Sequence, residues 1–359
     1  MAARSPSGAC VLMGRSVSVA AERPQADWRQ LPESELLEMR IRDLGLRIEG
    51  SALQGMIERL YQELAANGLA FRPPCYLADE WLCPDKVPII GIPFYLADRR
   101  LKRLEQKIMY EVEGGTERRC MQLLRHECGH AINYAYEFFK RSRWRQLFGR
   151  FSQRYSDNYA YRPYSRRFVS HLTDHYAQSH PDEDFAETFA VWLTPGSAWR
   201  EKYRTWPVIK KLRYVDRAMS KIGDSPPKVI ATERHVPWSA ARMTSTLGSF
   251  YERRQRVLGT EFRGYYDDSL RELFSRRPDE PNVCKAAHLL RENRRLIVDN
   301  VTRWTGHRKY DIHQWVNRLA ARCNEMRLYG APDKAESIVG LTALLTALAS
   351  NTYPETRRP

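Results

Sequence analysis

The sequence lacks several features that would assign it to a common class of protein. Its seven cysteines include no CxxC pair, and such an odd, scattered set argues against a disulfide framework. No stretch approaches the roughly 20 consecutive apolar residues of a membrane helix. Neither a repeat of fixed period nor a low-complexity tract is found. We therefore expect a cytoplasmic protein with no membrane partner.

Acidic residues are also in the minority. The chain of 359 residues carries 58 Lys and Arg against 43 Asp and Glu, a formal charge of +15. Such a balance favours acidic partners, but net charge concerns solubility and association rather than a reaction. Nucleic acid, acidic peptides and anionic surfaces remain open as partners at this point.

The domain organisation follows from changes in composition along the chain. The N-terminal apolar run is too short for a signal peptide, so residues 1–22 are interpreted as a disordered leader. Residues 223–239 are rich in proline and polar residues, as linkers are. They separate a mixed unit at residues 23–222 from residues 240–359, where nearly all patterning is helical. We predict an α+β catalytic domain followed by an all-α domain.

Local patterns in the first unit predict both helices and strands. Ser51 and Gln54 form a capping-box pattern, which predicts a helix ending at Asn67-Gly68. A second amphipathic helix is predicted before it, from about Ser34 to Ile48. The proline, aromatic and β-branched residues at 71–97 favour short strands and turns. Residues 107–113 alternate between apolar and polar, which predicts a further strand.

The strongest motif is the sequence His126-Glu127-Cys128-Gly129-His130, inside a helix predicted from Thr116 to about Phe139. Histidines four residues apart project from one helical face, so both imidazoles can bind one Zn²⁺ ion. Zinc lowers the pKa of bound water, and the intervening Glu127 can then act as its general base. The alternative is a helix whose histidines only form hydrogen bonds in the core.

A catalytic zinc site usually has three protein ligands, and the motif supplies two. Position 133 is Asn and position 136 is Tyr, so an extended HExxHxxGxxH motif is absent. The third ligand is expected on a helix predicted from Pro181 to Trp192, where Glu183 and Glu187 are four residues apart. One carboxylate can bind zinc while the other accepts the second ring N–H of a ligating histidine.

The combination of HECGH with EDFAE about 50 residues later resembles the gluzincin metallopeptidases. More narrowly, the stretch from CPDKVPIIGIPFYLA to HPDEDFAETFAVWL resembles a bacterial family of zinc-binding metallopeptidases. The resemblance implies a zincin-like catalytic domain in which Glu183 is the third ligand and Glu187 supports it. The residues by themselves leave the choice among Glu183, Asp184 and Glu187 open, with Glu187 as the main alternative. The resemblance also implies that Tyr176, seven residues before Glu183, stabilises the transition state.

Together these features predict a zinc metallopeptidase that hydrolyses peptide bonds in peptide or protein substrates. Residues 138–168 complicate this prediction, because they contain nine Lys or Arg interleaved with aromatic residues, a pattern that suits single-stranded nucleic acid or an acidic substrate. The simpler interpretation is a solvated basic face with aromatic residues in the core. Two alternatives therefore remain: a nucleic-acid-associated protein, and a zinc-stabilised binding protein with conditional or no proteolysis.

Overall fold

The computed structural model describes residues 27–155, 162, 164–172, 175–231, 236–258, 266–275, 284–330 and 333–351. The expected leader at residues 1–22 lies outside them. In chain order the α-helices are α1 (Glu33–Glu38), α2 (Ala52–Ala66), α3 (Arg99–Met109), α4 (Glu117–Ala135), α5 (Ser142–Phe148), α6 (Pro181–Leu193), α7 (Trp199–Lys202), α8 (Ile209–Ile222), α9 (Leu247–Leu258), α10 (Asp267–Leu273), α11 (Ala286–Glu292), α12 (Arg294–Thr305), α13 (Lys309–Glu325) and α14 (Lys334–Asn351).

A small sheet accompanies these helices. Strands β1 (Cys75–Ala78) and β2 (Ile90–Pro93) pair in parallel, with Cys75 opposite Ile90 and Ala78 opposite Pro93. The short strands and turns predicted at residues 71–97 are thus confirmed, and the mixture of elements is consistent with the predicted α+β class. None of the helices in the described part of the chain is both long and apolar enough to cross a membrane.

The strand predicted at residues 107–113 is wrong, because its first residues form the end of α3. The side chain of Asp98 caps this helix by accepting a hydrogen bond from the Arg100 backbone N–H at 2.7 Å. Buried Leu101, Leu104 and Met109 follow at helical spacing. The alternation after Lys107 reflects one face of this helix and the irregular segment after it.

The helix predicted from Ser34 to Ile48 is also wrong in extent, since α1 ends at Glu38. Met39 is extended, and its carbonyl oxygen accepts a hydrogen bond from the Leu247 N–H at 2.9 Å. The Ile41 N–H donates to the Ser245 carbonyl oxygen at 3.1 Å. These bonds to a distant segment replace the helical ones, and only a 3₁₀ turn follows at Ile41–Leu44.

Two hydrophobic clusters account for the packing of the described residues. The first extends from Trp28 to Tyr251 and also includes Tyr310. The second extends from Leu270 to Ala349 and consists of residues from α10 to α14 and their connections. Residues 240–251 pack in the first cluster, beyond the linker expected at residues 223–239. The division of the chain into two domains stays a prediction.

Helices α4 and α6 lie against each other in the first cluster, and Gly129 lies where their backbones approach closely. A Cβ atom on Gly129 would lie 2.7 Å from the Cα atom of Ala186 on α6. Only glycine leaves room for the two backbones at this distance. The predicted helices at 116–139 and 181–192 are confirmed, although α4 ends at Ala135 and a separate 3₁₀ turn follows at Phe138–Lys140.

Candidate metal centre

The two histidines of the motif lie on the buried face of α4, and a carboxylate orients each ring. The Nδ1 atom of His126 lies 2.9 Å from Glu187 Oε1, and that of His130 lies 2.9 Å from Asp182 Oδ2. Because an ionised carboxylate only accepts hydrogen bonds, each Nδ1 carries the proton. In its neutral form, which metal binding requires, each ring would therefore present the lone pair of its Nε2 atom to the space between α4 and α6.

Glu183 completes a compact triangle of atoms that can donate electron pairs. Its Oε2 atom lies 3.0 Å from His126 Nε2 and 3.1 Å from His130 Nε2, and the two Nε2 atoms are 3.1 Å apart. Bonds of 2.0–2.1 Å at tetrahedral angles would give ligand separations of about 3.3 Å. The three residues can therefore hold a metal ion, and their separations are about 0.2–0.3 Å shorter than the tetrahedral zinc value.

The charges around this triangle also favour a cation. Glu127, Asp182, Glu183 and Glu187 are all buried beside the two imidazoles. Burial acts to lower the pKa of His126, but hydrogen bonds with Glu183 and Glu187 outweigh it and raise this pKa to about 9. Burial acts to raise the pKa of Glu183, but the charge of His130 and hydrogen bonds from both histidines hold it far below its usual value. The pocket therefore stabilises positive charge at its centre.

Glu127 differs from the other carboxylates of the site. It is 7% exposed, and no described residue donates a hydrogen bond to its carboxylate. Burial raises its pKa above the usual value for a glutamate, with His126 and His130 acting in the opposite direction. A carboxylate with an elevated pKa and no hydrogen-bond donor among the described residues is suited to accept a proton from water.

Asp182 is a residue of the site that the sequence analysis missed. Its side chain is fully buried, and Oδ2 accepts hydrogen bonds from His130 and from the Tyr134 hydroxyl at 2.5 Å. Its Oδ1 atom accepts from the Asn133 amide at 2.6 Å. The signal available in the sequence was its position next to Glu183, about 100° away around the same helix.

Tyr176 and three histidines, His171, His175 and His180, lie in the chain just before α6. The Tyr176 ring lies 5.6 Å from that of His126, between ring centroids, in a 3₁₀ turn at Tyr176–Gln178. His171 donates from Nε2 to the Gln122 carbonyl oxygen at 2.9 Å. His175 precedes the 3₁₀ turn, and His180 caps α6. The predicted role of Tyr176 is compatible with its place beside His126 and stays a prediction.

A second tyrosine, which the sequence analysis did not single out for the site, contacts Glu183. The Tyr155 hydroxyl donates to Glu183 Oε1 at 3.1 Å. The two residues are 28 positions apart, and no spacing rule connects them. Tyr155 belongs to the basic and aromatic segment at residues 138–168, which therefore reaches the metal centre.

Most of the other described aromatic residues of that segment are partly or fully buried, whereas Tyr164 is exposed. Trp144 and Phe148 are buried and pack against Phe185 of α6, so their rings are not available for stacking on bases. This arrangement matches the simpler interpretation of basic residues around an aromatic core. Tyr159 and Tyr161 lie outside the described residues.

Comparison with known proteins identifies one family. Residues 97–202 match the model of the family described as "Putative zinc-binding metallo-peptidase". No curated protein and no solved structure matches the chain. The matched span contains α3, α4 and α6, and with them His126, His130 and Glu183. The resemblance to the zinc-binding metallopeptidase family is therefore confirmed for residues 97–202.

Proposed function

We propose that the protein is a zinc metallopeptidase of the gluzincin type, with His126, His130 and Glu183 as the metal ligands. The triangle formed by the two Nε2 atoms and Glu183 Oε2 is the observation that carries the proposal. A bound zinc ion supplies a Lewis acid that polarises a carbonyl group and lowers the pKa of water. Glu187 and Asp182 orient the imidazoles, which makes Glu187 a supporting residue and not the third ligand.

Glu127 is the proposed general base. Its carboxylate takes a proton from the water that attacks the peptide carbonyl carbon, and it then gives this proton to the departing amine nitrogen. Burial supports this role, because it raises the pKa of Glu127 and brings the group closer to the pH at which it works. Tyr176 is the proposed donor to the developing oxyanion, given its place beside His126.

The ligand set favours catalysis over a purely structural zinc site. Structural zinc sites normally have four protein ligands, whereas catalytic sites have three and an open position. Among the described residues the group with ligand atoms close enough to share an ion consists of three side chains. Glu127 lies within the HECGH motif, and no described residue donates a hydrogen bond to its carboxylate. A zinc-stabilised binding protein would have no need for this carboxylate.

Substituting Glu127 by glutamine separates the proposed enzyme from a zinc-binding scaffold. The variant should retain one zinc ion per chain, while its rate of peptide hydrolysis falls by at least about 10²- to 10⁴-fold, the usual contribution of a general base. Hydrolysis can be measured by mass spectrometry on a mixture of peptides that includes acidic sequences. Glu117→Gln is the matched control, since Glu117 lies on the same helix with a side chain 68% exposed, and it should keep full activity.

Two results would contradict the proposal. Full activity of Glu127→Gln would remove Glu127 from the mechanism. A wild-type protein that holds one zinc ion but cleaves no peptide in the mixture would favour the scaffold.

A further inference from the structure

We propose that Tyr155 is a positioning residue that makes Glu183 bind zinc through one oxygen atom. This inference rests on the part of the proposed function in which Glu183 is a zinc ligand. The two oxygen atoms of Glu183 have different partners. Oε2 faces His126 Nε2 and His130 Nε2 at 3.0 and 3.1 Å, whereas Oε1 accepts a hydrogen bond from the Tyr155 hydroxyl at 3.1 Å.

His180 holds the Tyr155 ring in place. The two rings are stacked, with centroids 3.8 Å apart and planes 14° from parallel. His180 is itself fixed at both ring nitrogens, because Nδ1 accepts from the Asp182 backbone N–H at 3.1 Å and Nε2 donates to the Gln153 carbonyl oxygen at 2.8 Å. The start of α6 and the segment before Tyr155 are thus joined through one neutral imidazole.

This connection links the position of the tyrosine hydroxyl to that of Glu183. His180 is the N-cap of α6, and Glu183 lies in the first turn of the same helix. A movement of the helix start would carry both Glu183 and the surface on which Tyr155 stacks. The hydroxyl and the carboxylate therefore keep their relative placement.

The hydrogen bond from Tyr155 restricts the rotation of the Glu183 carboxylate. A carboxylate whose second oxygen is bonded to a hydroxyl offers a metal ion its other oxygen alone. Without the hydroxyl, rotation about the last side-chain bond would let both oxygens approach the ion. The second oxygen would then compete for the position that a catalytic site keeps open.

The role of Tyr155 is separable from packing in the core. Its side chain is 44% exposed, so removing the hydroxyl leaves the ring stacked and creates no buried cavity. Substituting residues that support metal ligands typically lowers metal affinity 10- to 100-fold. Because the hydrogen bond to Glu183 is, at 3.1 Å, longer than is usual for a hydroxyl donor, we expect the lower end, about 10-fold.

The test compares Tyr155→Phe with Tyr164→Phe, the same substitution at a tyrosine that is 95% exposed. Zinc affinity is measured by competition with a chelator. Coordination is measured from the visible spectrum of protein loaded with Co²⁺, since four-coordinate Co²⁺ absorbs more strongly than five-coordinate Co²⁺. Tyr155→Phe should bind zinc about 10-fold more weakly and lose cobalt absorbance, while Tyr164→Phe should match the wild type.

Unchanged zinc affinity and an unchanged cobalt spectrum in Tyr155→Phe would overturn the proposal. X-ray absorption on the zinc-loaded wild-type protein provides a measurement that does not depend on how the variant folds. One carboxylate oxygen at bonding distance supports the proposal, and two overturn it. If the cobalt spectrum changes as expected but the wild type cleaves no peptide, the positioning role stands and the peptidase assignment fails. A wild-type protein that binds no zinc would refute both.

Discussion

Substituting Gly129 by alanine tests whether the close approach of α4 and α6 determines the geometry of the metal centre. The new Cβ atom would lie 2.7 Å from Ala186 Cα and 3.0 Å from the Ala186 carbonyl oxygen. Ordinary contact begins at 3.4 Å, so α6 must move away by roughly 0.7 Å. Both neighbouring atoms belong to the backbone, and side-chain rotation cannot relieve the contact. Glu183 lies on the same helix and would move with Ala186.

The expected loss of zinc affinity follows from this displacement. Metal–ligand distances tolerate changes of only about 0.2 Å, so a shift of roughly 0.7 Å is more than three times the tolerance. We expect zinc affinity to fall about 100-fold, equivalent to ~2.8 kcal/mol. The free energy of unfolding of the metal-free protein should change less. Overpacking costs about 1–3 kcal/mol, and the higher helix propensity of alanine offsets about 1 kcal/mol of this cost.

The assay is chelator competition for zinc, together with urea unfolding of the metal-free protein. Gly55→Ala is the matched control, since Gly55 is exposed on α2 and a Cβ there meets no atom within 4 Å. That variant should bind zinc normally and be as stable as the wild type or slightly more stable. If Gly129→Ala also binds zinc with wild-type affinity, the helix contact does not control the site.

Two further predictions concern buried charges. Arg125→Met should lower the free energy of unfolding by about 3 kcal/mol, the low end of the range for breaking a buried pair, as measured in urea. It leaves the buried Glu63 carboxylate without the guanidinium that donates to both its oxygens at 2.7 Å, while Arg59 stays 3.4 Å from Oε1. A loss below 1 kcal/mol would contradict this. Burial raises the pKa of Asp311 to about 7, so the folded state loses stability as the pH rises from about 4 to 7. Asp311→Asn should therefore be more stable than the wild type at pH 8, by about 1–3 kcal/mol. This gain in stability should be smaller at pH 5. An equal gain at both pH values would argue against titration of Asp311.

The parts of the fold that the sequence predicted well are those governed by local signals. Helix α4 was predictable because its apolar residues recur at helical spacing around the histidine motif. Helix α6 was predictable from Pro181 at its first position and from the acids that follow. In both cases the residues that form the helix also carry the chemistry, so one pattern indicated both.

The errors arose where distant contacts override local preference. The amphipathic pattern at residues 34–48 is real, but bonds to Ser245 and Leu247 draw the chain out of the helix after Glu38. At residues 107–113 a period of two was interpreted without the cap at Asp98, which would have indicated α3. Asp182 was missed because the sequence does not show which of several neighbouring acids faces a histidine. Tyr155 depends on the path of the chain before α6, which no local rule describes.

The first turn of α6 has a consequence for how this family of sequences can vary. Asp182 contacts His130, Glu183 faces both imidazoles, and Asp184 forms an ion pair with Lys211 of α8 at 2.5 Å. Each step of about 100° along a helix sends the next side chain to a different neighbour. Loops in the connection between α4 and α6 can accommodate insertions. One residue gained or lost between Pro181 and Glu187 would instead turn the acidic side chains by about 100° around the helix, away from their present partners. We therefore expect related sequences to differ in length before Pro181 but not between Pro181 and Glu187.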